Sequence, residues 1–138
     1  MGSHQDTKYT TKAVPAALDA LARQTVDAAF RVHSTLGPGL LESVYEQCLC
    51  HELEKRGLQC LRQVPLPLHY DGLRVDNAFR VDVLVEDVLI VEVKAAEKTN
   101  PLHEAQLLTY LRLSGRRIGL LMNFNVLLIR DGIRRLIV

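Results

Sequence analysis

Apolar residues recur at three- and four-residue spacing from Pro15 to Leu36 (Leu18, Leu21, Ala22, Val26, Ala29, Phe30, Val32), which predicts a helix with one face on a core. Pro15 suits its first turn, and Gly37-Pro38-Gly39 ends it. A second helix is expected from about Leu40 to Arg56, with Leu41, Val44, Tyr45, Cys48, Leu49 and Leu53 as its stripe and Gly57 beyond its end. The period then changes. Leu58 to Tyr70 reads as a strand, with Pro65 and Pro67 marking an edge or a bulge, and Asp71-Gly72 is a turn. Phe79 to Val85 and Val88 to Val93 form a hairpin around Glu86-Asp87. Asn100-Pro101 opens a third helix that runs to about Leu113 and stops at Gly115, and Ile118 to Met122 is apolar throughout, as a buried central strand would be. Val126 to Ile129 and Ile133 to Val138 flank Asp131-Gly132, a hairpin signal. The predicted order is ααββββαβββ, a single mixed α+β or α/β domain over residues 15–138. Residues 1–14 are expected to form a flexible tail, in which Met1-Gly2-Ser3-His4 looks like a cloning remnant.

The central hairpin carries the chemistry. Phe79, Val81, Val83 and Val85 are apolar, as are Leu89, Val91 and Val93, so alternation sends these odd positions to a core and Asp82, Glu92 and Lys94 the other way. Cross-strand partners of equal parity require an odd-length loop such as Glu86-Asp87-Val88, or a bulge. A two-residue turn would instead set Asp82 opposite Val91. Under the first condition Asp82 lies beside Glu92, with Lys94 one step further along. Two adjacent, partly buried carboxylates repel each other until one is protonated or a cation sits between them. Mg²⁺ or Mn²⁺ would suit their oxygens, and a nearby ammonium suits the charge that develops in phosphodiester hydrolysis. The same trio also fits a solvated strand face with a cross-strand ion pair, and the three residues alone do not separate the two readings.

Composition narrows the partners. The chain has 138 residues, 48% hydrophobic and 24% charged, with 17 Lys+Arg against 16 Asp+Glu for a net charge of +1. These values exclude a disordered chain and a polycationic tail but leave room for a local basic cleft. No apolar run reaches the ~18 residues of a membrane span. Cys48, Cys50 and Cys60 have neither metal spacing nor a C-x-x-C pair, and are expected to be free thiols in a reducing cytoplasm. Three cysteines are also too few for an iron–sulfur cluster.

Asp82 followed, after a short hairpin, by Glu92-Val93-Lys94 resembles the core signature of the PD-(D/E)xK nuclease superfamily. Gln106 to Tyr110 resembles the Q-x-x-x-Y motif of its RecB-like exonuclease branch. Gly39 to Tyr45 is similar to the signature of the prokaryotic G-x-x-E-x-x-Y family of the same superfamily, and the likeness extends from about Ala22 to the C-terminus. The resemblance implies a restriction-endonuclease-like core, a mixed sheet of about four strands flanked by helices, with a C-terminal hairpin. It implies an Mg²⁺- or Mn²⁺-dependent enzyme that cleaves phosphodiester bonds, with DNA as the expected substrate. Asp82, Glu92, the Val93 carbonyl and Glu42 would hold the metal, and Lys94 would position the attacking water. Gln106 would orient Lys94 or a phosphate, and Tyr110 and Arg80 could touch substrate. Val81 stands where many relatives carry proline.

Each role has a plainer counterpart. Glu42 also suits the positive end of a helix dipole, Tyr45 and Tyr110 suit a core, and His103 and Glu104 suit a helix start. Gln106 is harder to explain by packing if Ala105, Leu108 and Leu111 form the buried face. The alternative function is a catalytically silent nucleic-acid-binding or protein-interaction module on the same fold. Phosphate contacts could come from Arg80, Lys98, Arg112, Arg116, Arg117, Arg130, Arg134 and Arg135. The small size suits a short footprint, a homodimer or a protein partner.

Overall fold

A computed structural model describes residues 14–138; the expected tail, apart from Val14, lies outside the described residues. Helix α1 (Ala16–Leu36) buries Leu21, Ala22, Thr25, Ala28, Ala29, Val32 and His33. The stripe is rotated from the predicted one, because alanines let the helix lie close to its neighbours while Phe30 stays 42% exposed. Helix α2 (Glu42–Lys55) buries Tyr45, Glu46, Leu49, Cys50 and Leu53. Leu41, expected in its stripe, precedes the helix and is 72% exposed.

Five strands follow: β1 (Cys60–Tyr70), β2 (Leu73–Val85), β3 (Leu89–Lys94), β4 (Ile118–Asn123) and β5 (Ile133–Ile137), with helix α3 (Pro101–Ser114) between β3 and β4. They form one sheet in sequence order, parallel at β3–β4 and antiparallel elsewhere. The β1–β2 turn has positive φ at both Asp71 and Gly72, a tight two-residue reversal matched to strand twist. The Asn100 side chain accepts from the backbone N–H groups of Leu102 and His103, and the His103 ring reaches back to the Asn100 N–H, so His103 acts as part of a helix cap.

Helices cover both faces of the sheet. Val83, Val85, Leu89, Val91, Val93, Ile118 and Leu120 pack with α1 and α2, whereas Leu84, Ile90 and Leu121 pack with Leu107 and Leu111 of α3. Gly119 makes the second contact possible: a Cβ there would come within 2.9 Å of the Leu107 side chain. The buried face of α3 is thus Leu107 and Leu111, while Ala105, expected there, is exposed.

The predicted order has one strand too many on each side of α3. No strand forms over Val126–Ile129; Ile129–Gly132 is a short 3-10 turn, and β5 pairs directly with β4. The chain leaves the sheet after Asn123 because Phe124 turns inward to stack on Tyr45, at 4.6 Å between ring centroids. Gly132 serves close approach to the Asn123 carbonyl rather than a hairpin turn.

The cysteine expectation is also corrected. Cys50 and Cys60 are joined as a disulfide, with Cα atoms 5.4 Å apart, leaving Cys48 free. The ten-residue separation hides this pairing in sequence, and only the return of β1 beneath α2 closes it. The thiol-based argument for a reducing compartment therefore falls. Among the described residues no helix is long and apolar enough to cross a membrane.

Candidate active site

The β2–β3 connection has the odd length that the parity argument requires. Glu86 and Asp87 take positive φ, Val88 N–H bonds to the Val85 carbonyl, and Val83, Leu84 and Val85 pair with Val91, Ile90 and Leu89. The ladder stops one step further on, where Asp82 and Glu92 come side by side. There the strands are held by side chains: the Asp82 N–H donates to Glu92 Oε2 at 3.0 Å, and the Val93 N–H donates to Asp82 Oδ2 at 2.9 Å. Each carboxylate thus satisfies a backbone donor on the opposite strand that would otherwise go unpaired in the interior.

The odd positions of β2 do not all share one face. Val83 and Val85 pack with α1 and α2, but Val81 and Phe79 belong to the α3 side. Strand β1 reverses at the same level: Arg62 reaches Glu46 on α2, whereas Val64 packs with the α3 cluster. The reversal is centred on Gln63, which has φ +54°, and on Asp82 across from it. It replaces the simple alternation read from sequence and places the Asp82 carboxylate against the adjoining strand.

Burial and like charge dominate the electrostatics. Glu92 is 3% exposed; burial, reinforced by the neighbouring Asp82 charge, pushes its carboxyl up to about 8 against the Asp82 N–H and Lys94, which oppose the rise. Burial also raises Asp82, countered by the Val93 N–H and then Lys94, with Glu42 adding to the rise. Tyr110 is raised by burial and by the charges of Glu92 and Asp82. Glu46, absent from the sequence-based candidates, is a further buried carboxylate. Burial raises it and the nearby Asp82 adds to that, whereas a Gln63 hydrogen bond and Arg62 lower it. Its signal was available: an acid lies within the α2 stripe, between Tyr45 and Leu49.

A family model for the PD-(D/E)XK nuclease superfamily matches residues 19–136. The chain belongs to this superfamily. No curated protein and no solved structure matches it. Within the matched range an acid–x–lysine sequence, Glu92-Val93-Lys94, ends β3, and Asp82 lies on the neighbouring strand β2. PD-(D/E)XK nucleases are typically dependent on divalent metals. Among the described residues no three or more His, Cys, Asp or Glu side chains are grouped to hold an ion. The donor set nevertheless fits one: two mutually repelling carboxylates supply hard oxygens, with the Val93 main chain between Glu92 and Lys94.

The Gly39 to Tyr45 segment has a mechanical explanation. Gly37 and Gly39 turn the chain at positive φ, and the Tyr45 hydroxyl donates to the Gly37 carbonyl at 2.6 Å while accepting from the Leu40 N–H at 3.1 Å. Tyr45 is fully buried and therefore locks the loop from inside. Glu42 then begins α2, and its carboxylate accepts from the Ala95 N–H at 3.1 Å, just past Lys94. Tyr45→Phe removes two hydrogen bonds at the buried end of this loop and is expected to lower unfolding free energy by about 1–2 kcal/mol. Urea titration of the variant beside the parent protein measures that loss.

The other candidates are less tightly drawn in. Tyr110 stacks on Phe79, at 4.6 Å between centroids. Gln106 is exposed one helical turn earlier, without a hydrogen-bond partner among the described residues. Arg80 is exposed beside Asp82 in sequence. The basic pool shrinks, since Arg116, Arg134 and Arg135 are paired with Asp87, Glu104 and Asp19, and Arg117 holds the Val138 carbonyl. Arg80, Lys98, Arg112 and Arg130 have no ion pair among the described residues.

Proposed function

We propose that the protein is a divalent-cation-dependent phosphodiesterase acting on DNA, with Asp82, Glu92, the Val93 carbonyl and Glu42 as ligands of Mg²⁺ or Mn²⁺. The observation that carries this reading is the pair of adjacent carboxylates at the splayed end of β2–β3, with Lys94 beside them. Buried like charges left without a cation are costly, and a site that keeps both is suited to binding one. Such a cation supplies Lewis-acid polarisation of a phosphoryl oxygen.

The chain's own residues do the rest. Lys94 orients the attacking water through its ammonium group and stabilises negative charge as it grows on the phosphate. Its charge lowers the carboxyls of both Asp82 and Glu92 against their burial. Gln106, on the Tyr110 face of α3, orients Lys94 or a phosphate, and Tyr110 and Arg80 contact the substrate. Glu42 ties the start of α2 to the segment after Lys94, and its charge acts on Asp82. The Q-x-x-x-Y and G-x-x-E-x-x-Y patterns support placement in the family named for the second motif. With few unpaired cations and a net charge of +1, a short footprint is expected, extended by a homodimer or protein partner.

The test combines Mn²⁺ calorimetry with cleavage of single- and double-stranded DNA in Mg²⁺. The parent protein is expected to bind one cation and to cut at least one substrate. Cation binding without cleavage of either substrate overturns the enzymatic reading and leaves a silent nucleic-acid-binding module.

A further inference from the structure

We infer that Gln63 is a positioning residue of this site: its neutral amide spans Glu46 of α2 and Asp82 of β2 and fixes the Asp82 carboxylate for the cation. This rests on the metal-dependent reading above and adds a residue to it. Gln63 lies within β1, yet its φ is +54°, a conformation that disfavours any residue with a Cβ. Asp71, Glu86 and Asp87 share that sign but occupy turns, and Asn77 sits at the register shift between β1 and β2. Gln63 instead interrupts a regular ladder. Arg62 pairs with Val83 and Val64 with Val81, and the intervening Gln63–Asp82 pair is missing.

The distortion has a product. Gln63 Nε2 donates to Glu46 Oε1 at 2.8 Å and lies 3.5 Å from Asp82 Oδ1, while Asp82 Oδ2 accepts from the Val93 N–H. Both oxygens of Asp82 thus face defined donors. Undistorted strand geometry would send residues 62 and 64 to one face of the sheet. Here Arg62 reaches Glu46 and Val64 packs with the α3 cluster, leaving Gln63 between the two acids. The chemistry of the amide matters as well. A lysine here would neutralise the acids and compete with a divalent cation, and an apolar side chain would leave Glu46 with Arg62 as its remaining partner. Two neutral N–H donors align carboxylates and leave their charge available. Strain held where it aligns a ligand is the pattern of a functional site.

Gln63→Gly and Gln63→Met separate this role from a purely structural one. Glycine relieves the backbone and deletes the donor; methionine keeps the length and the backbone demand but has no N–H. The cation-free Gly variant is expected to melt at or above the parental temperature. Both variants are expected to bind Mn²⁺ roughly tenfold more weakly by calorimetry, the usual scale for groups that orient metal ligands. Glu92→Ala serves as the control that assigns the binding to this site. If the parent binds Mn²⁺ and both variants match it within threefold, Gln63 merely shapes the strand and the inference is overturned, whatever their melting temperatures. A parent protein that binds no Mn²⁺ overturns the metal reading itself, and this inference with it.

Discussion

Glu92→Gln is expected to stabilise the cation-free protein at pH 8.5 by on the order of 2–4 kcal/mol while abolishing Mn²⁺ binding. The sign follows from the raised carboxyl, which sits at about 8 in the folded chain against an ordinary 4.5. Between those two values the folded state keeps a proton that the unfolded state has released. The group's contribution to stability is therefore complete below about pH 4.5 and lost as the pH rises through about 8. Its upper bound is about 5 kcal/mol, reduced by solvent entry and by side-chain movement as the pair ionises. Glutamine copies the protonated acid at every pH, so the variant should show no such loss. Urea titrations at pH 5.5 and 8.5 measure the effect. The parent protein should weaken across that interval and recover on adding Mn²⁺, with neither response in the variant. A parent whose stability is flat from pH 5.5 to 8.5 would show that burial and the Asp82 charge do not raise the Glu92 carboxyl.

Lys94→Ala is expected to retain the cation and lose turnover by roughly 10²–10⁴-fold, the range for a group that positions or transfers a proton at a reacting centre. The half-buried ammonium acts on both Asp82 and Glu92, but neither of their backbone hydrogen bonds depends on it. Its deletion should thus spare ligand geometry. Single-turnover cleavage at saturating Mn²⁺ isolates the chemical step, and calorimetry on the same sample reports the cation. Lys94→Arg should restore little, since a planar, forked guanidinium does not place its charge where an ammonium does. Cleavage by Lys94→Ala within tenfold of the parent rate would remove Lys94 from the reaction.

Much of the site was readable because it lies on local pattern. The register that sets Asp82 beside Glu92 depends on the length of the Glu86-Asp87-Val88 loop, visible in the chain, whereas the reversal at Gln63 and Asp82 that overrides simple alternation is not. The capping at Asn100 and His103 and the turn at Asp71-Gly72 are likewise set by neighbouring residues. Other features depend on packing across long sequence distances. Leu84 and Ile90 are as buried as their odd-numbered neighbours because α3 covers the second face, which alternation within one hairpin does not reveal. Val126–Ile129 has the composition of a strand, yet Phe124 is drawn inward to Tyr45 and carries the backbone out of the sheet.

By itself, the sequence determined the succession of most helices and strands and the hairpin register that sets Asp82 beside Glu92, since these follow from side-chain periodicity and turn length. Tertiary structure decided that Gln63 links Glu46 to Asp82 and that Cys50 meets Cys60. Those contacts form only when β1 folds back beneath α2, and no local propensity encodes the meeting of two such segments.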